Sequence, residues 1–131
     1  MAEQYPDPDE RFRVVGNLVL PIYSCELLPS EPIFRSGDSR AFAQTWQDML
    51  RLQAEGIFPA ACKRIESPVS MLHGAVDPHP GRMIYSNLHA CLPQLEYHEW
   101  AECGHYPWLE RAAQTEFFQV LRNWLSRHLT A

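Results

Sequence analysis

Ser67-Pro68-Val69-Ser70-Met71-Leu72-His73-Gly74-Ala75-Val76-Asp77-Pro78 decides the fold. Val69 to Leu72 reads as a buried strand that ends in a tight turn carrying one carboxylate, Asp77. A second stretch, Cys103-Gly104-His105-Tyr106-Pro107-Trp108, follows about one strand, one helix and one strand later. An aspartate and a histidine then sit on loops at the C-terminal ends of neighbouring strands, the edge at which open α/β sheets place their chemistry.

The rest of the chain fits around this unit. Asp9 is expected to cap a helix starting near Glu10, with Phe12, Val15, Val19 and Ile22 near helical spacing and Pro21 ending it. Pro29, Pro32 and Gly37 mark a loop from about Leu28 to Asp38. Asp38 or Ser39 can cap a helix over Arg40 to Ala54, whose face carries Phe42, Trp46, Met49 and Leu50. Pro59 to Ile65 reads as a short helix. His79-Pro80-Gly81 opens a helix to about Cys91, Pro93 ends it, and Leu95 to Trp100 is the second strand. A last helix, from about Glu110 to Leu129, presents Phe117, Phe118, Leu121, Trp124, Leu125 and Leu129 as a buried stripe. The expected class is α/β: a helical region over 1–66, then strand-helix-strand-helix over 67–131, with two parallel strands in one incomplete domain. Two parallel strands do not make a stable sheet on their own, so the apolar helices are built to cover more sheet than this stretch supplies.

Composition narrows the class. At 131 residues the chain is one domain in size. A net charge of -5, with the 11 Lys and Arg scattered, gives no basic stripe for nucleic acid. No apolar run approaches the roughly 18 residues of a membrane span. Met1-Ala2-Glu3-Gln4 carries no signal-peptide pattern, and Cys25, Cys62, Cys91 and Cys103 form no CxxC pair. Free thiols in a reducing, cytoplasmic compartment are the expectation.

Pro68-Val69-Ser70-Met71-Leu72-His73-Gly74-Ala75-Val76-Asp77 resembles the P-V-x-x-x-H-G-x-x-D pattern at the end of the penultimate core strand of α/β-hydrolase fold enzymes, and Gly104-His105 resembles the loop after their last strand. The resemblance is specific over roughly Ser67 to Leu129. Upstream, Thr45-Trp46-Gln47-Asp48-Met49 looks, more weakly, like part of the lid. The resemblance implies that Asp77 is the acid of a catalytic triad and His105 its base, that Gly74 and Gly104 allow close backbone approach, and that Trp108 and Leu109 pack beneath the histidine loop. It also implies that Trp46 and Phe58 line an acyl or leaving-group pocket in a complete enzyme, with no cofactor and no metal.

The pattern departs from the family at one decisive point. The nucleophile elbow G-x-S-x-G is missing: Ser36-Gly37-Asp38-Ser39 does not carry it and falls between helices, Ser70 is inside a strand and Ser86 inside a helix. The expectation is therefore the C-terminal portion of a serine hydrolase, supplying acid and histidine and inactive without a partner that brings the serine. The alternative is a non-catalytic module that homodimerises through an exposed strand edge and apolar helices. Residue by residue, plainer readings compete. Asp77 can cap the following helix, His73 is a structural histidine, and Cys103 is a small buried residue. A metal site on His73, Asp77 and His79 has no recognised ligand spacing.

Overall fold

The computed structural model describes residues 4–29 and 37–129, so Pro32 and Ser36 lie outside the described residues. Its elements run α1 (Pro8–Val19), α2 (Ser39–Ala54), α3 (Ile57–Cys62), β1 (Val69–Gly74), α4 (Gly81–His89), β2 (Leu95–Trp100), a 3-10 turn (Pro107–Leu109) and α5 (Gln114–His128). The fold is a small α/β arrangement of mixed helices around a two-stranded parallel sheet. Among the described residues no helix is long and apolar enough to cross a membrane.

Strand alternation assigns the two sheet faces. Val69 pairs with Leu95 and Gly74 with Trp100, in a continuous register. On one face Tyr97 stacks on Tyr85 of α4, with ring centroids 4.9 Å apart, and Glu99 accepts hydrogen bonds from Arg82. On the other, Trp100 donates its indole N–H to Glu116 of α5 at 3.0 Å and Glu96 pairs with Arg127. The helices thus lie on opposite faces, as period-2 strands covered on both sides require. The core between β2 and α5 is Trp100, Cys103 and Ala113, with Leu72, Phe117 and Val120 against it.

Several details differ from the sequence expectation. The stripe expected to be buried on the last helix is not: Phe118, Leu125 and Leu129 are exposed, because two strands offer too little sheet to cover it. The first helix is capped by Asp7, whose side chain accepts the Asp9 N–H at 3.0 Å; Pro8 then occupies the first helical position, where no N–H is needed. Asp9 instead accepts both the backbone N–H and the hydroxyl of Ser39, tying α1 to α2 beside the Phe12–Phe42 ring contact. Ile22 falls beyond the helix and is exposed. The last helix begins at Gln114, because Glu110 is fully buried in the connection before it.

The chain is open. Its accessible surface is 9291 Å², against about 7,100 Å² for a folded monomer of this mass. Phe42, Trp46 and Leu50 stand about half exposed on α2, and each strand has an unpaired edge among the described residues.

Candidate functional site

The turn that carries Asp77 is stitched to the end of β2. Asp77 N–H donates to the Gly74 carbonyl at 3.1 Å, Ala75 N–H to the Trp100 carbonyl at 2.9 Å and Val76 N–H to the Cys103 carbonyl at 2.8 Å. Gly74 is required there: a Cβ on it would sit 2.1 Å from the Gly104 carbonyl oxygen and 2.3 Å from that of Cys103. A parallel register and a close approach of two backbones therefore bring the aspartate turn onto the histidine loop.

Asp77 Oδ2 lies 2.6 Å from His105 Nδ1. The aspartate side chain is 3% exposed and the histidine side chain 41%. The carboxylate is thus held inside while the imidazole reaches solvent, and Nε2 is the ring nitrogen that Asp77 leaves unoccupied. Burial by itself pushes the Asp77 carboxyl up; the hydrogen bonds from the His79 backbone, from His105 and from the His79 ring overcome it, so the group titrates below the ordinary carboxylate value. A buried, ionised carboxylate on Nδ1 fixes the tautomer in which Nε2 is a base, and it stabilises the imidazolium formed when Nε2 takes a proton.

Asp77 does not cap α4; the residue at that cap, Pro80, offers no side-chain bond. Its other oxygen closes an Asx turn with the His79 N–H at 2.9 Å and also meets His79 Nδ1 at 2.8 Å. Two imidazoles therefore address one carboxylate. Oδ1 of that carboxylate, or Oδ2, joins one ring nitrogen of each histidine within 4.8 Å, a set able to ligate a metal. The group includes His105, which lies 28 residues from Asp77, so the local spacing of His73, Asp77 and His79 did not reveal it. His73 has the structural place expected of it: Nε2 is 3.0 Å from the His79 carbonyl oxygen, and its ring packs where a Cβ on Gly81 would collide with it.

Sequence reasoning missed what holds the histidine loop. Two contacts from the 23–28 segment hold it: His105 N–H donates to the Tyr23 carbonyl at 2.8 Å, and a single antiparallel bridge joins Leu27 to Glu110, flanked by Leu28 N–H donating to the Leu109 carbonyl and Arg111 N–H to the Glu26 carbonyl. Buried Glu110 accepts from the N–H groups of Gly104, at 2.9 and 3.0 Å, and of Cys25, at 2.8 Å. The Tyr23 ring lies 5.8 Å from both the His105 and His79 rings. Trp108 does pack at the loop, against Tyr106 and Phe117, and stays partly exposed.

Other candidates fall elsewhere. Trp46 lines a separate apolar hollow with Phe42, Thr45 and Met49 on α2, and Phe58 is half-buried on α3; neither lines the cleft of His73, Asp77 and His79. Cys103 is buried, its thiol donates to the Gly104 carbonyl, and burial pushes its pKa up to about 12, so it is no thiolate at neutral pH. The Ser24 hydroxyl, close to the loop in space, donates to the Leu20 carbonyl, Ser39 to Asp9 and Ser86 to the Arg82 carbonyl. Comparison of the chain with protein-family models, with curated proteins and with solved structures yields no match.

Proposed function

We propose that this chain is the acid- and histidine-bearing portion of an α/β-hydrolase, and that it takes part in ester, amide or related acyl hydrolysis once a nucleophile is supplied. The single observation that carries the reading is the 2.6 Å contact between buried Asp77 and solvent-reaching His105 at the carboxyl edge of two parallel strands. In that reading His105 Nε2 removes the proton of a serine hydroxyl as the hydroxyl attacks the acyl carbon. It returns the proton to the leaving group, while Asp77 remains ionised. The serine and the donors that stabilise the oxyanion come from a partner segment, which pairs with the open sheet edge and covers the apolar face of α2. The chain alone lacks the largest contributor to acyl transfer and is inert toward activated esters beyond the background of a free imidazole.

The test is reconstitution: co-expression with the polypeptide encoded directly upstream, assayed on short-chain nitrophenyl esters. Activity is expected in the pair, and it should fall by about 10⁴ in Asp77→Asn, as when a triad acid is neutralised. Equal activity in wild type and His105→Ala would sink the proposal.

A second reading is favoured by one observation, the roughly 30% excess of accessible surface over a folded monomer of this mass. It takes the chain as a homodimerising module joined through strand edge and apolar helices. Light scattering after size exclusion separates the two: a monomer of 15.2 kDa in the absence of other chains removes the dimer.

A further inference from the structure

We infer that Asp77, His79 and His105 form a site for one divalent cation of the zinc class, bound by a carboxylate oxygen and two imidazole nitrogens. One donor atom from each residue already lies within 4.8 Å of the others. Four-coordinate zinc holds nitrogen and oxygen at about 2.0–2.2 Å, which sets neighbouring donors roughly 3.5 Å apart. The Asp77 oxygens are 2.8 Å from His79 Nδ1 and 2.6 Å from His105 Nδ1, so both imidazoles move slightly outward to admit the ion.

The observation that carries the inference is redundancy. Orienting a general base needs one carboxylate and one imidazole. Here a second imidazole is held on the same carboxylate from a different turn. The ligand backbones are also fixed before any ion arrives. His79 N–H is bonded to Asp77, His105 N–H to the Tyr23 carbonyl, and Asp77 N–H to the Gly74 carbonyl. The Asp77 side chain is 3% exposed, whereas those of His79 and His105 are 54% and 41% exposed, so the ion would have the protein on one side and solvent on the other. Three protein ligands with an open fourth position for water follow from that shape. His73 supports the site through the backbone: its Nε2 lies 3.0 Å from the His79 carbonyl oxygen. Two imidazoles favour zinc, cobalt, nickel or copper over magnesium and calcium, which prefer all-oxygen sites.

The ion would occupy the Asp77 and His105 atoms on which the acid–histidine pair depends. Bound metal and proton transfer through His105 therefore exclude one another. This consequence rests on the hydrolase reading; the metal site itself does not.

The test is titration calorimetry of the purified, chelator-treated full chain with zinc chloride, repeated with cobalt(II) chloride while recording visible absorption. One ion per chain is expected, with the intense cobalt bands of a four-coordinate site. His79→Ala should weaken binding at least tenfold. The double variant His79→Ala/His105→Ala should abolish it, and His89→Ala should leave it unchanged. His79 is exposed and outside the core, so its alanine variant should keep the wild-type circular dichroism. No binding by the wild-type chain, or binding that survives the double variant, overturns the inference. Because His79→Ala spares the Asp77–His105 bond, the two readings can fail apart. Reconstituted ester hydrolysis without zinc binding removes the metal site alone. Zinc binding lost in the double variant, beside reconstituted activity that His105→Ala does not change, removes the hydrolase reading alone.

Discussion

Glu110 holds the backbone N–H of Gly104 on both of its carboxylate oxygens, at 2.9 and 3.0 Å, from a fully buried position. The same side chain takes the Cys25 N–H at 2.8 Å, so one carboxylate joins the N-terminal segment to the loop that presents His105. Glu110→Ala leaves the buried Gly104 N–H and the half-buried Cys25 N–H without this acceptor. The expected cost is about 3 kcal/mol or more, since each lost buried acceptor costs on the order of 1–3 kcal/mol. Glu110→Gln keeps one acceptor oxygen and should cost roughly half as much. Urea denaturation of the two variants beside wild type measures both, and an alanine variant as stable as wild type would show that the clamp contributes nothing.

Two glycines separate crowding from backbone strain. Gly74→Ala drives a methyl into two carbonyl oxygens of the histidine loop, neither of which is a flexible side-chain end. The strand end and the loop must then part, at a cost of about 3 kcal/mol or more. Gly56 has φ 67° with open space around its missing Cβ, so Gly56→Ala should cost only the left-handed backbone penalty of about 1–2 kcal/mol. Thermal unfolding ranks them, and a Gly56 variant less stable than the Gly74 variant would contradict the packing.

Much of the C-terminal half was legible because its signals are local. Val69 to Leu72 and Leu95 to Trp100 alternate or run apolar, Pro93 and Gly81 mark the ends of α4, and adjacent parallel strands place Asp77 and His105 at one edge whatever else the chain does. The clamp was not legible. Glu110 looks like a solvated first residue of a helix. Its burial depends on N–H groups 85 residues away, and no periodicity encodes contact at that separation. The late start of α5 follows from it, because Glu110, just past the 3-10 turn, is itself extended and bridges to Leu27 before the helix can begin. In the sequence His79 stands beside Asp77 only within a set of ligands that lacks a recognised spacing; its direct bond to the carboxylate arises from an Asx turn that folds its ring back on the residue two before it.

Acid should probe Asp77 selectively. Its carboxyl titrates below the ordinary value in the folded chain, because the bonds from His79 and His105 outweigh the opposing effect of burial. A depressed folded value contributes stability that is fully present above the unfolded carboxylate range, about pH 4, and is lost as the pH falls through the folded value. Asp77→Asn removes that dependence. The difference in stability between wild type and Asp77→Asn should therefore be constant from about pH 5 to 6 and shrink below about pH 4. Chemical denaturation at a series of pH values checks it; a difference that grows toward low pH would mean that the carboxyl is raised.

Cys103 offers a reactivity test of the same loop. Burial pushes its thiol up to about 12, with Glu110 and Cys25 adding to the shift, and its hydrogen is given to the Gly104 carbonyl. An ordinary thiol is largely ionised by about pH 9.5, where Cys103 remains protonated and shielded. Iodoacetamide at that pH should label exposed Cys25 rapidly and leave Cys103 unmodified until denaturant is added. Glu110→Gln, which loosens the loop, should raise the native labelling rate of Cys103 without changing that of Cys62, a half-buried thiol on α3. Peptide mass mapping over time follows each thiol separately. Native labelling of Cys103 at the rate of Cys25 would place the thiol at the surface and detach the histidine loop from the core it closes.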